Sequence, residues 1–186
     1  MINNFFKTIV VSTPNKNILS YLKSNYKNFI KYDKRPKKLA KYNTLIDDTV
    51  SHIIEKFSLK KYDTISIINC DYPFRKDFYL EKAVNTLYLF DAESVLSVIE
   101  ENSNFFRHEG DGLIPLKYNK NLRLERELIY RETGGIHVVS GKYFRKNREI
   151  LGKKNSHISL DSKSAIKVND ENDLVQLEVL YDKKKN

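Results

Sequence analysis

Residues 165–180 read AIKVNDENDLVQLEVL and place Asp170, Glu171 and Asp173 where a short apolar alternation gives way to a helical pattern. Carboxylates gathered at a strand end can hold a hard cation such as Mg²⁺ for phosphate chemistry. The alternation itself offers Lys167 and Asn169 instead, an ammonium and an amide, and an ammonium repels a divalent cation. The acids also have a simpler task. Asn169 or Asp170 stands at the N-cap position of the helix, with the following acids on the positive end of its dipole.

Other groups suited to phosphate are dispersed. No GxxxxGK followed by Ser or Thr, no GxGxxG and no GxSxG occurs, and the six glycines fall late or scattered. Arg35, Arg75, Arg123 and Arg131 stand in or near expected loops, and the guanidinium fork suits carboxylate and phosphate oxygens. The four histidines, at 52, 108, 137 and 157, occur singly without HExxH spacing, which argues against a His-based metal site. His52 reads as a helix-surface residue, and His108 and His137 as structural polar residues. Cys70 is the only cysteine, so a disulfide framework and a Cys-rich metal site are both excluded. Its place in the apolar run ISIINC reads as a buried, inert thiol.

These groups must be positioned by a folded domain. The chain of 186 residues is 40% hydrophobic and 12% aromatic, enough for a continuous core in one domain, residues 1–186. No apolar run is long enough to span a bilayer, and MINNFFKTIVVSTPNKN lacks the basic, apolar, small-residue order of a signal peptide. A cytoplasmic location is the expectation. The net charge of +9 suits an anionic partner, and residues 21–43 interleave aromatic and basic side chains. Lys, Asn, Ile and Tyr are enriched along the whole chain, however, as an AT-rich genome would produce. Without a nucleic-acid motif, the charge does not define a nucleic-acid binder.

The elements alternate. TIVVST (8–13) reads as a strand, Pro14 and Asn15 close it, and a helix follows from about Lys16 to Tyr26. NFIKY leads to Arg35-Pro36, where the proline biases Arg35 toward extended geometry. From Thr44 a helix is expected, with Ile46, Val50, Ile53, Ile54 and Phe57 on its buried face. TISIINC (64–70) reads as a strand covered on both faces, ended by DYPFR, and a helix follows with Leu80, Ala83, Val84 and Leu87 on one side. SVLSVIE (94–100) gives the next strand. Residues 101–133 break the rhythm as an excursion, and the chain returns at GGIHVVSGKYF, where Gly134 and Gly135 permit a sharp turn into a strand. Alternating strands and helices predict a three-layer, mostly parallel α/β domain with ligands at the C-terminal strand ends.

Taken in order, TIVVST, RPKKLAKYNT, IINCDYPFR, ESVLSVIE, RLERELIYRETGGIHVV and AIKVNDENDL resemble the landmarks of the acylneuraminate cytidylyltransferases, the CMP-sialic acid synthetases. The resemblance runs from about residue 8 to 181. It implies a Rossmann-like nucleotidyltransferase fold in which a nonulosonic (sialic-type) acid attacks the α-phosphate of CTP, with Mg²⁺ holding the triphosphate. It also implies a dimer, homodimeric or with a full-length homologue, made through the 101–133 excursion. Arg35 then corresponds to the family's nucleotide-binding arginine before proline. Asn69 corresponds to the polar residue that ends the central strand and faces the sugar, and Arg123 and Arg131 to arginines near the sugar acid.

Two departures accompany the resemblance. The family's first strand, its basic nucleotide loop and its first helix should precede TIVVST, where this sequence has only MINNFFK. That strand lies between those corresponding to TIVVST and ISIINC, so either another polypeptide supplies it or the two neighbours pair directly. The family's two metal-binding aspartates fall on Lys167 and Asn169, a change of three charge units that disfavours Mg²⁺. The expectation is a cytidylyltransferase homologue without a working catalytic apparatus of its own. The alternatives are an active synthetase whose nucleotide loop comes from another segment, or a non-catalytic sugar- or nucleotide-binding partner of a synthetase.

Overall fold

The computed structural model describes residues 5–26, 29–59, 62–116 and 128–182. In chain order the elements are β1 (Val10–Thr13), α1 (Lys16–Asn25), β2 (Lys31–Lys34), α2 (Ile46–Lys56), β3 (Thr64–Ile68), α3 (Phe78–Leu89) and β4 (Ser94–Glu101). They continue with β5 (Phe106–Glu109), β6 (Gly112–Pro115), β7 (Ile129–Ser140), α4 (Gly141–Asn147), β8 (Asn155–Ser159) and α5 (Glu171–Asp182). Two compact units result, one of Met1–Asp63 with Gly141–Ile150 and one of Thr64–Ser140 with Leu151–Asn186.

In the first unit β1 pairs with β2 in parallel, Val10 opposite Lys31 through Thr13 opposite Lys34. Between them α1 starts where Asn15 Oδ1 accepts from the backbone N–H groups of Asn17 and Ile18, at 2.8 and 3.3 Å. On α2 the fully buried positions are Thr49 and Val50, whereas Ile46 is exposed. The anchor of this unit is Asp33, on β2 and wholly buried. Its carboxylate accepts from Ser12 Oγ at 2.6 Å and Lys56 Nζ at 2.6 Å, and His52 Nε2 lies 3.3 Å away. His52 is thus half-buried on a carboxylate, which corrects its reading as a plain surface residue. No local pattern links side chains 19 positions apart.

The second unit is a sheet in the order β3-β7-β4-β8. β7 runs antiparallel to both β3 and β4, and β8 is parallel to β4, so β3, β4 and β8 share one direction. Helix α3 supplies Tyr79, Ala83 and Leu87 to a core with Val95, Ile136, Val138 and Ile158, and Leu80 and Val84 pack against it. The helical spacing read from the sequence is the one that packs. β3 is less covered than a central parallel strand. It has β7 on one side only, and none of its residues is fully buried. β1 likewise has β2 alone, so each ends its own sheet among the described residues.

β7 begins at Ile129, opposite Glu101, so the end of the expected excursion already belongs to the sheet. The glycine pair sits inside this strand as a bulge. Leu96 faces His137 and Val98 faces Glu132, so five steps along β7 match two along β4 and three extra residues are accommodated. Gly134 takes φ +73°, which a side chain disfavours. Ser97 and Thr133 satisfy the displaced polar groups. Their hydroxyls lie 2.7 Å apart, the Thr133 hydroxyl donates to Ser97 O at 3.0 Å, and Ser97 Oγ accepts from Ile136 N–H at 2.9 Å. Gly134→Ala is expected to cost about 1–2 kcal/mol through the left-handed backbone, read as a lower denaturation midpoint with unchanged slope.

The excursion itself contains the antiparallel hairpin β5–β6, turned at Gly110 with φ +55°. Phe106, Leu113 and Ile114 are exposed on it.

Candidate functional site

The C-terminal end of β3 leads into the loop 69–77, and the β7 bulge fixes that loop. Asn69 N–H donates to Gly135 O at 3.3 Å. Arg75 Nη1 donates to both Asn69 O and Gly135 O, at 2.9 and 3.0 Å. The Tyr72 ring is buried against Gly135, where an added Cβ would stand 3.2 Å from ring carbon Cγ. Burial raises the Tyr72 phenol above its ordinary value, helped by the negative charge of Asp71. Three contacts therefore converge on one glycine carbonyl and its Cα. The placement of a bulge beside a ligand-facing strand end is a recurrent device.

The 165–170 segment reaches this loop differently from expectation. AIKVN is not a strand. Its hydrogen bond to the loop is from Val168 N–H to Asp71 O at 2.8 Å, while the N–H groups of Ala165 and Ile166 close turns on Asp161 O and Lys163 O, so the alternation joins no ladder. Lys167 and Asn169 flank Val168 and are exposed. Asn169 donates through its backbone N–H and its Nδ2 to Asp173 Oδ2, at 2.7 and 3.1 Å. Asp170 Oδ1 accepts from the N–H groups of Asn172 and Asp173, at 2.9 and 3.1 Å, and so is the N-cap of α5. The backbone N–H of Asn169, then its side chain, hold the Asp173 carboxyl below the usual range against a small opposing effect of burial.

These residues do not fit Mg²⁺. The acids nearest the implied metal position are committed to helix-end N–H groups, and the position itself carries an ammonium and an amide. Among the described residues no group of three His, Cys, Asp or Glu side chains is arranged to hold a metal ion.

The other sequence-derived candidates are dispersed. Arg131 lies on β7 with Nε 3.5 Å from Glu101 Oε2. Arg35 belongs to the first unit, where its Nε donates to Ser12 Oγ at 3.2 Å and its Nη2 to Ser12 O at 2.8 Å. Arg123 falls outside the described residues. His137 is buried in β7 and His108 is exposed on β5. Cys70 is exposed, which corrects its reading as a buried thiol. The apolar run ISIINC outlasts the strand, whose ladder ends at Ile68. Arg75 was visible in the sequence only as one loop arginine among several. Tyr72 carried no signal at all, since nothing in the spacing announces a ring stacked on a glycine.

The sheet order, the single reversed strand at its centre and the site loop after β3 define an α/β nucleotidyltransferase-like fold with a mostly parallel strand direction. Solved structures give that class a nearer likeness, to cytidylyltransferases. The chain is similar to 4-diphosphocytidyl-2C-methyl-D-erythritol synthase from Anaerococcus prevotii, with TM-score 0.67 and 12% identity over 94% of this chain and 81% of that one. A second 4-diphosphocytidyl-2C-methyl-D-erythritol synthase gives 0.66 and 10%, over 94% and 80%. The 2-C-methyl-D-erythritol 4-phosphate cytidylyltransferase of Francisella tularensis gives 0.65 and 12%, over 96% and 82%. No protein-family model matches the sequence, and no curated protein matches it by sequence. Among the described residues no helix is long and apolar enough to cross a membrane.

Proposed function

We propose that this chain is a homologue of the CMP-nonulosonic acid synthetases that does not turn over CTP by itself. The cytidylyltransferase-like fold supports the nucleotide class. The ordered segments from TIVVST to AIKVNDENDL support the nonulosonic-acid class. One observation carries the loss of turnover. Lys167 and Asn169 stand where the resemblance puts metal-binding aspartates, while Asp170 and Asp173 are spent on the start of α5.

What remains suits binding. Asn69 is exposed at the end of β3, its Oδ1 accepting from Asp71 N–H at 3.4 Å, on a loop held by Gly135, and Arg75 braces that loop. A preorganised loop favours ligand capture because less conformational entropy is lost on binding. Lys167 supplies a cation for an anionic ligand but cannot bridge phosphates and nucleophile as a metal does.

The test is incubation with CTP, Mg²⁺ and, in turn, sialic, legionaminic and pseudaminic acids, following pyrophosphate release. The expected outcome is no CMP-sugar, against the roughly 10 turnovers per second typical of enzymes. Turnover near about 1 per second overturns the proposal.

A second reading draws on the sides of β1 and β3 that pair with no strand among the described residues. A strand end without a neighbour presents unpaired N–H and C=O groups that another strand can satisfy. Here a further polypeptide segment supplies a neighbouring strand and a nucleotide loop, and the exposed Phe106, Leu113 and Ile114 of the β5–β6 hairpin offer contact to a partner copy or homologue. Co-expression with a full-length synthetase followed by size-exclusion chromatography distinguishes it, since only this reading predicts a mixed complex with restored pyrophosphate release.

A further inference from the structure

The second unit contains a cavity of about 1070 Å³ between the 69–77 loop and α5, and neither Asn69, Arg131, Lys167 nor Asn169 lines it. Such a volume suits a metabolite-sized ligand. Its apolar wall is Phe74, Val168, Leu174 and Leu177, and its cations include Arg75 and Lys163.

Arg75 is the informative residue. It is half-buried, and burial lowers its pKa from the ordinary value. Its hydrogen bonds use Nη1 alone, on two carbonyl oxygens. Among the described residues no carboxylate lies within ion-pairing distance of it and no acceptor meets its Nε or Nη2. A desolvated guanidinium with donors left over is costly unless an oxyanion completes it. Lys163 adds a second cation, with Nζ 4.7 Å from the centroid of the Phe74 ring and likewise no carboxylate partner among the described residues. Lys76, by contrast, is spent on Asp161 at 3.0 Å.

The remaining lining limits the charge of the occupant. Asp71, Asp77 and Glu178 also face the cavity, so a polyanion would meet three carboxylates against the two unspent cations. A single negative charge on an apolar body is the best complement.

We propose that this cavity is a binding pocket for a small organic monocarboxylate. Its oxyanion is held by the free Nε and Nη2 donors of Arg75 with Lys163 alongside, and its carbon skeleton lies on Phe74, Leu174 and Leu177. The pocket shares the 69–77 loop with the candidate site but not Asn69, Lys167 or Asn169, and benzoate binding does not depend on CTP turnover.

Benzoate is a suitable probe, with inorganic phosphate as the contrasting anion. The Arg75 Nε–Hε resonance is expected to shift saturably with benzoate and far less with phosphate. The thiol of Cys70 lines the same cavity and is the only one in the chain. Benzoate at about ten times its Kd should therefore slow iodoacetamide alkylation roughly tenfold, since only the empty fraction reacts. Arg75→Gln should abolish the protection of Cys70, and Lys163→Glu, which leaves the Arg75 clamp intact, should weaken both effects severalfold. An unshifted Arg75 signal, protection undiminished in Lys163→Glu, or phosphate protecting better than benzoate overturns the proposal. If Arg75→Gln fails to fold, Lys163→Glu decides alone.

Discussion

Asp33→Ala is expected to lower the stability of the first unit by about 3 kcal/mol, because it removes the acceptor on which three side chains converge. Ser12 and Lys56 donate to the carboxylate directly, His52 stands at 3.3 Å, and Arg35 reaches it through the Ser12 hydroxyl. The substitution leaves Ser12 Oγ without its buried acceptor and opens a space between β1, β2 and α2. Lys56, partly exposed, can turn to water, so the cost stays at the lower end of what breaking a buried pair produces. The measurement is hydrogen exchange of the β1 and β2 amides, which should quicken by about two powers of ten. Exchange within a factor of about three of the parent would mean that Asp33 is merely tolerated.

The same carboxylate gives a pH dependence with a definite sign. Burial raises the Asp33 pKa, but the hydrogen bonds from Lys56, Ser12 and His52 together outweigh it, so the net shift is downward. In the second unit the Ser164 N–H and then Lys76 hold the Asp161 carboxyl well below the usual range, with the Ser164 and Tyr79 hydroxyls adding to them against a small opposing effect of burial. A group whose folded pKa is depressed contributes fully above its unfolded value, near about 4, and loses that contribution as pH falls through the folded value. Both units should thus weaken below about pH 4. Asp33→Asn should flatten that acid limb for the first unit only.

The sequence carried its regular elements openly and its irregular ones poorly. Helix α3 was readable because Leu80, Ala83, Val84 and Leu87 repeat at helical spacing and all reach the core. The bulge in β7 was misread as an entry turn because Gly134 and Gly135 give the same local signal in either setting. What distinguishes them is Ser97, on another strand, accepting from Ile136. Cys70 and AIKVN were misread for a related reason. Apolar alternation measures local preference, whereas a strand needs a partner, and the ladder stops at Ile68 in one case and never forms in the other. The Asp33 cluster had no signal, since its members lie on three elements.

Lys167→Asp with Asn169→Asp is expected to raise the affinity of this segment for divalent cations, and it tests the proposal that these two positions stand where metal ligands would. The pair changes the local charge from +1 to −2 and places anionic oxygens on either side of Val168, which is tied to the site loop through Asp71 O. Two carboxylates are within the number Mg²⁺ accepts, the remaining positions being filled by water and phosphate oxygens. Mn²⁺ titration followed by electron paramagnetic resonance should show affinity at least about tenfold tighter than the parent, an effect of about 1.4 kcal/mol. Asp170 and Asp173 will compete little, since both remain held by N–H groups at the start of α5. If metal binding appears while CTP turnover does not, these two positions alone do not account for the absence of turnover. If both appear, the two positions alone silenced an otherwise complete site. No gain in Mn²⁺ affinity would mean that the segment after Ala165 does not present these side chains as a metal strand would, and the resemblance at this site would fail.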